Sequence, residues 1–247
     1  MISNGWKCVG VCSVLLWSVA AWSEVKYSHL EDSQSWNSCV DCAGGDSSRA
    51  HIASSPFFAS PSIEGNSRDF YMNGDAWSNA LWWHKIGPNN AAKSFSLGFW
   101  LYVHPNTQLA QAFEFDVFQF INNRRYMFGT ECSYGTGVWD IWNAGAWRWI
   151  HTNVPCKRFV PNTWYHVTMN FYRTSDFYMH YDKLTIVQYK SDGAVAANNT
   201  YAFNQAMPSG WNPPGWQDTI GVQFQMDIAG QGGQMQEWMD KVSLTMW

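Results

Sequence analysis

Basic residues never run longer than the pair Arg124-Arg125, and charged side chains of every kind make up only 14% of the chain. A surface without Lys/Arg clusters has little with which to neutralise a phosphate backbone, so nucleic acid is not expected as a partner. The overall balance agrees: 15 basic residues against 19 acidic ones leave a formal charge of −4. Beyond the first two dozen residues no apolar run approaches the roughly 20 residues of a membrane-spanning helix, and no amphipathic helical period of useful length appears. Several catalytic signatures are also missing. There is no His-x-His or His-Glu-x-x-His spacing for a catalytic metal, and no Gly-x-Ser-x-Gly elbow for a serine nucleophile. Cys39-Val-Asp-Cys42 lacks the second pair that a four-ligand zinc site needs. It also lacks the βαβ surroundings of a thioredoxin-like redox motif.

What is present begins with an export signature. Lys7 supplies an early positive charge, Cys8 to Ala21 an apolar stretch, and Ala21-Trp-Ser23 small residues for cleavage, so residues 1–23 read as a signal peptide. The expected location is secreted, extracellular or periplasmic. With Lys7 removed, fourteen basic residues face nineteen acidic ones, a balance of −5. Four cysteines remain: Cys39, Cys42, Cys132 and Cys156. An even number in an exported chain favours disulfides, with three connectivities open. The preferred pairing is Cys39 with Cys42 as a local loop and Cys132 with Cys156 as a clamp across neighbouring strands.

Aromatic residues are abundant, with 17 Trp, 11 Tyr and 15 Phe. Rings with a polar edge keep that edge near water or a partner, so some of these should line a surface. Residues 24–68 are rich in Ser, Gly, Asp and Ala and carry no sustained period, which predicts an irregular N-terminal segment packed on the domain. From residue 69 to 247 the pattern is strands and turns. Ser94 to His104 alternates, with Phe95, Leu97, Phe99, Leu101 and Val103 on one side. Further strands are read at Gly137–Trp142, Trp147–Thr152, Trp164–Arg173, Phe177–Tyr189, Thr219–Asp227 and Gln236–Met246. Such spacing predicts an all-β fold, an antiparallel β-sandwich.

The most informative segment is Ala112-Phe-Glu-Phe-Asp-Val-Phe-Gln-Phe-Ile121. Strand alternation sets Glu114 and Asp116 on the face opposite Phe113, Phe115 and Val117. Acids in so apolar a strand are expected to face a groove. Simple counting puts Gln119 with the phenylalanines, and a one-residue bulge near Val117-Phe118 would return it to the acids. The resulting Glu-x-Asp-x-x-Gln resembles the bulged catalytic strand, Glu-x-Asp-x-x-Glu, of laminarinase- and carrageenase-type β-glycanases of the concanavalin A-like superfamily. Phe95-Ser-Leu-Gly-Phe-Trp-Leu101, Asn162 to Tyr172 and Met239 to Met246 are similar to strands of laminin G-like members. The resemblance covers residues 69–247 and implies a concanavalin A-like jelly roll. It also implies Glu114 as nucleophile and Asp116 as its tuning neighbour. Gln119 would stand at the acid/base position, where an amide cannot transfer the proton.

Two further groups bear on function. Trp139-Asp-Ile-Trp142, Asn143-Ala-Gly-Ala146 and Trp147-Arg-Trp-Ile-His151 read as a hairpin in which Trp142 faces Trp147 and Asp140 faces Trp149. Asp140, Trp142, Trp147 and Trp149 would then share one face suited to stacking on sugar rings, and Arg125 is a further candidate ligand contact. Glu131, on the hairpin partner of the Glu114 strand, is a spare acid if the protein is an enzyme. A lyase set of Tyr126, His151, Arg125 and Gln119 is a weaker reading, without a matching motif. The Gln-rich C-terminal region, including Gln223 and Gln225, could supply amides to hydroxyl ligands. The expected function is binding of a polysaccharide or oligosaccharide on a concave face. Glycoside hydrolysis is the first alternative and a structural or adhesive module the second. Sandwich lectins often hold calcium, yet no Asp-rich loop indicates an ion here, and no cofactor is expected. Oligomeric state is not legible.

Overall fold

Strand alternation determines which side chains meet between layers. The computed structural model describes residues 23–42, 50–212 and 217–247, so the expected signal peptide lies outside the described residues apart from Ser23. In chain order the strands are β1 (Val25–Tyr27), β2 (Trp36–Val40), β3 (His51–Phe58), β4 (Ser67–Gly74), β5 (Asn79–Gly87), β6 (Ser94–Val103), β7 (Ala110–Ile121), β8 (Arg124–Phe128) and β9 (Thr130–Ser133). They continue with β10 (Val138–Asn143), β11 (Arg148–Pro155), β12 (Trp164–Arg173), β13 (Tyr178–Tyr189), β14 (Val195–Pro208), β15 (Gly210–Trp211), β16 (Thr219–Ile228) and β17 (Gly233–Met246). Among the described residues the helical turns are two short 3-10 segments, Leu30–Asp32 and Pro105–Leu109.

The strands make two antiparallel sheets. The first runs β14-β13-β12-β6-β17-β4-β3, with β1 also on β17. The second runs β11-β10-β9-β7-β16-β5-β2, with β8 pairing β7 and β15. Between them lies an aromatic core built from the inward halves of the alternating strands. Phe99 of β6 stacks on Phe115 of β7 at 4.7 Å, and Phe70 of β4 meets Phe224 of β16 at 5.0 Å. Phe128 of β8 meets Phe171 of β12 at 5.3 Å. Each fully buried ring stabilises by about 1.5–3 kcal/mol through removal of apolar area from water, and offset or edge contacts between rings add about 0.5–1.5 kcal/mol. The expected all-β sandwich is what the chain forms.

The N-terminal stretch departs from expectation. Residues 24–68 contribute β1 and β3 to the first sheet and β2 to the second, each in register with a neighbour. β2 and β3 are edge strands that bury little on either face, so small polar residues suffice and no hydrophobic period marks them. The long edge strand β14 escapes sequence reading for the same reason, since most of its side chains are exposed. Between β1 and β2, Glu31 accepts from the backbone N–H of Lys241 at 2.8 Å and of Val242 at 2.7 Å, tying this stretch to a bulge in β17. Both preferred disulfides are present, Cys39–Cys42 and Cys132–Cys156.

Candidate functional site

The turn at Asn122-Asn123 sets the register of the strands that follow it. Both asparagines have positive φ, 51° and 60°, the type I′ combination whose twist suits a two-residue hairpin. Ile121 pairs with Arg124, Val117 with Phe128 and Glu114 with Glu131. Antiparallel partners project to the same side, so Glu131 stands beside Glu114 on the face of β7 turned away from the core. The rung continues through Asp140 of β10, opposite Glu131, to His151 of β11, opposite Asp140. On the other flank Gln225 of β16 opposes Glu114, and one step along the strand Gln223 opposes Asp116.

These outward groups floor a cleft of about 230 Å³. It is lined by Glu114, Asp116, Gln223, Gln225, Arg125, Met127, Gly129, Cys42, Trp142, Trp147 and Trp149. The structure thus gathers Glu114, Asp116, Arg125 and three of the expected tryptophans in one place. Glu131 and Asp140 share the face and the rung but are not part of the lining.

The tryptophan hairpin pairs differently from expectation. Trp142 faces Trp149, Ile141 faces Ile150 and Asp140 faces His151. The loop lies one residue later than predicted because Ala146 N–H bonds both the carbonyl of Asn143 (3.2 Å) and its side-chain oxygen (2.9 Å), and Trp147 takes φ 53° at the tip. Since the pairing moves by two positions, the facing set is preserved. Trp142 and Trp149 meet edge to face at 5.2 Å. Trp147, 64% exposed, carries the Arg125 guanidinium over its ring at 3.7 Å.

Gly129 makes this assembly sterically feasible. A Cβ there would lie 2.9 Å from Trp142 Cβ, 3.3 Å from Trp149 Cη2 and 3.5 Å from Asp116 Oδ1. Sequence reading passed over this glycine, which separates β8 from β9.

Hydrogen bonds orient the acids. Gln223 Nε2 donates to Asp116 Oδ2 at 2.7 Å and Thr130 N–H donates to Asp116 Oδ1 at 3.0 Å. Gln225 Nε2 donates to Glu114 Oε1 and, at 3.0 Å, to Asp227 Oδ1. His151 Nδ1 and Asp140 Oδ1 are 2.8 Å apart. Burial is the main influence on these carboxyls, since desolvation disfavours the charged form. It pushes Asp116 and Glu131 up to about 8 and Asp227 up to about 7. Glu114 is raised well above the usual range, first by burial and then by the charges of Asp227, Asp116 and Glu131. Asp140 is also raised by burial, against the pull of His151, and His151 is raised by its bond to Asp140.

Gln119 does not join this set. The pairing of β7 with β16 runs without a bulge from Phe120 to Ala112, so ordinary alternation keeps Gln119 on the Phe113 side. There it is fully buried, donates to the carbonyls of Asn89 (2.9 Å) and Ala92 (3.1 Å), and accepts from Arg173 Nε at 2.6 Å. A bulge would have exposed three satisfied hydrogen bonds and displaced Val117 from the core. Tyr126 lies opposite Gln119 on the same inner side, so the lyase set of Tyr126, His151, Arg125 and Gln119 is not assembled. Among the described residues, the compact group of possible metal ligands is His29, Glu31 and Asp32. It lies outside the cleft lining, and its Glu31 is engaged by the two β17 amides.

No family model matches the chain, and no curated protein matches it in sequence. Solved structures do. The marine PL-14 alginate lyase from Aplysia kurodai superposes with a TM-score of 0.51 at 7% identity, over 79% of this chain and 88% of that one. The family 11 carbohydrate-binding module of a Clostridium thermocellum cellulosomal cellulase gives 0.42 at 11% identity, over 91% and 95%. A Lotus tetragonolobus seed lectin gives 0.42 at 12%, over 90% and 97%. At these identities the likeness is one of fold.

Proposed function

We propose that this is an exported carbohydrate-binding protein that holds a stretch of glycan between the Glu114–Asp116 floor and the Trp142, Trp147 and Trp149 wall. The observation that carries the reading is the meeting of flat indole faces with a hydrogen-bonding floor in one open cleft. Pyranose rings offer C–H faces to stack on aromatic rings and hydroxyls that need partners. Gln223 and Gln225, spaced by two on β16, add amides to that floor. The two disulfides fit an oxidising compartment and so support export. An acidic polysaccharide is a poor occupant, because its charge would be desolvated on a floor that holds no cation to compensate it.

Affinity electrophoresis and titration calorimetry against a panel of polysaccharides test the reading. Binding to at least one glycan is expected, with Trp149→Ala and Trp147→Ala each weakening it about ten-fold or more, as stacked-ring hot spots do. Unchanged binding in both variants would show that the cleft is not the site.

One observation favours hydrolysis as a second reading. Directly opposed strand positions have Cβ atoms about 4.5–5.5 Å apart, and retaining glycosidases hold their carboxyls about 5–5.5 Å apart, which suits Glu114 and Glu131. It comes second because a nucleophile must be ionised, whereas burial and three neighbouring acids disfavour the ionised form of Glu114, and Glu131 lies outside the cleft lining. Reducing-end release that is lost in Glu114→Gln would promote it to first place.

A further inference from the structure

One buried acceptor on the cleft floor has no donor. Gln225 has given its amide nitrogen to Glu114 and Asp227, and Gln223 has given its own to Asp116. That leaves Gln225 Oε1 buried with no hydrogen-bond partner, on a residue only 3% exposed that lines the cleft. Its neighbours Glu114, Asp116 and Asp227 are carboxyls that already accept the two glutamine amides. The cation on the wall, Arg125, is laid against Trp147, and its register partner is Phe120. Phe120 lies four residues from Asp116, about 13 Å along a strand. The floor therefore lacks a positive charge, and Gln225 Oε1 lacks a donor.

Different occupants answer this need differently. A sugar hydroxyl can donate to Gln225 Oε1 but supplies no charge against which the buried acids could ionise. A uronate or sulfate brings a negative charge that no cation on the floor compensates. A protonated amine supplies several donors and the missing charge together, and the indole faces of Trp142 and Trp149 attract cations as well as sugar C–H groups.

Resting on the glycan-binding reading above, we propose that the cleft selects amino sugars with a free primary amine. The ammonium sits among Glu114, Asp116 and Gln225 Oε1, and the pyranose ring lies against the indoles. Arg125, whose Nε and Nη2 also lack acceptors, meets a hydroxyl or ring oxygen toward the other end. The raised acids support this assignment: burial favours the neutral forms of Glu114 and Asp116 in the empty cleft, and a bound ammonium favours their ionised forms, so protons leave on binding. Glu131 and Asp140, beside them on β9 and β10, and His151 on β11 share that titration.

The test is calorimetry of the full chain with a β-1,4-linked glucosamine tetramer, its fully N-acetylated counterpart and a glucose tetramer. It is run below the α-amino range of about 7.7 to 8, so that the amines are charged. The glucosamine tetramer should bind about ten-fold or more tightly than either neutral tetramer, about 1.4 kcal/mol. Its enthalpy alone should vary with the ionisation heat of the buffer. Glu114→Gln and, independently, Asp116→Asn should each reduce the preference to within about three-fold with the thermal melt retained, whereas Trp149→Ala should weaken all three ligands. Equal affinity for the three tetramers overturns the amine inference and leaves glycan binding standing. Failure of all three, when other polysaccharides do bind, also overturns it, and failure of every glycan overturns the reading beneath it. A lysine tetrapeptide that binds as tightly as the glucosamine tetramer overturns the saccharide commitment.

Discussion

At the scale of single residues, the cleft depends on a position without a side chain. Gly129 sits where Trp142, Trp149 and Asp116 converge, and its missing Cβ would fall within 2.9 Å of Trp142 Cβ. Gly129→Ala is expected to destabilise the fold by about 1–3 kcal/mol through overpacking and to weaken glycan binding by splaying the two indoles. Urea unfolding and calorimetry of the same variant check both effects. A variant of native stability and affinity would mean that the wall yields at no cost. Glu114 and Asp116 were legible from alternation alone, because period two leaves no freedom once Phe113 and Phe115 are inside. Gln119 was misplaced on the supposition of a bulge, and plain counting gives its true side. Nothing local in the sequence marked Gly129 as part of the site, since its neighbours Trp142, Trp149 and Asp116 come from other strands.

At the scale of elements, the β7–β8 turn is the device that aligns the acids. Asn122 and Asn123 both hold left-handed conformations, which asparagine tolerates and β-carbon-bearing residues otherwise resist. Replacing both by alanine should cost about 1–2 kcal/mol per residue held at positive φ. It should also loosen the Glu114–Glu131 register, so that glycan affinity falls with stability. Thermal melts and binding of the double variant decide this, and an Asn123→Gly variant should retain both properties. The tryptophan hairpin teaches the complementary lesson. Its strands were legible, but its pairing was not, because the four-residue loop admits two registers. The choice rests on the Ala146–Asn143 hydrogen bonds and the left-handed Trp147.

At the scale of the whole molecule, the buried acids link folding to pH. Asp116 and Glu131 at about 8 and Asp227 at about 7 lie above their unfolded values of 3.8 or 4.5. The unfolded chain therefore gives up these protons at lower pH than the folded one. Their contribution to stability is complete below about pH 4 and is lost progressively as pH rises toward about 8. The melting temperature should fall across that window, and Glu131→Gln should flatten the fall and raise stability at its alkaline end. A melting temperature that climbs steadily from acid to pH 8 in the wild type would contradict the burial of these groups. Such a cost, borne on the outer face of a sheet whose inner face is packed with rings, is the pattern expected of a site kept for binding rather than for stability.

The sequence by itself determined the all-β class, an even set of four cysteines for disulfides, the inward faces of the long strands and the shared face of Glu114 and Asp116. These follow from period-two burial and from cysteine number, both local or compositional quantities. Tertiary structure decided that residues 24–68 join both sheets and that Gln119 braces the interior. It also decided which groups meet over the acids: Gln223, Gln225, Arg125 and the tryptophan wall. The physical reason is the range over which each is set. A strand's faces are fixed by its own alternation, whereas a cleft is fixed by cross-strand register and edge pairing. Those depend on which distant segments bury best against one another.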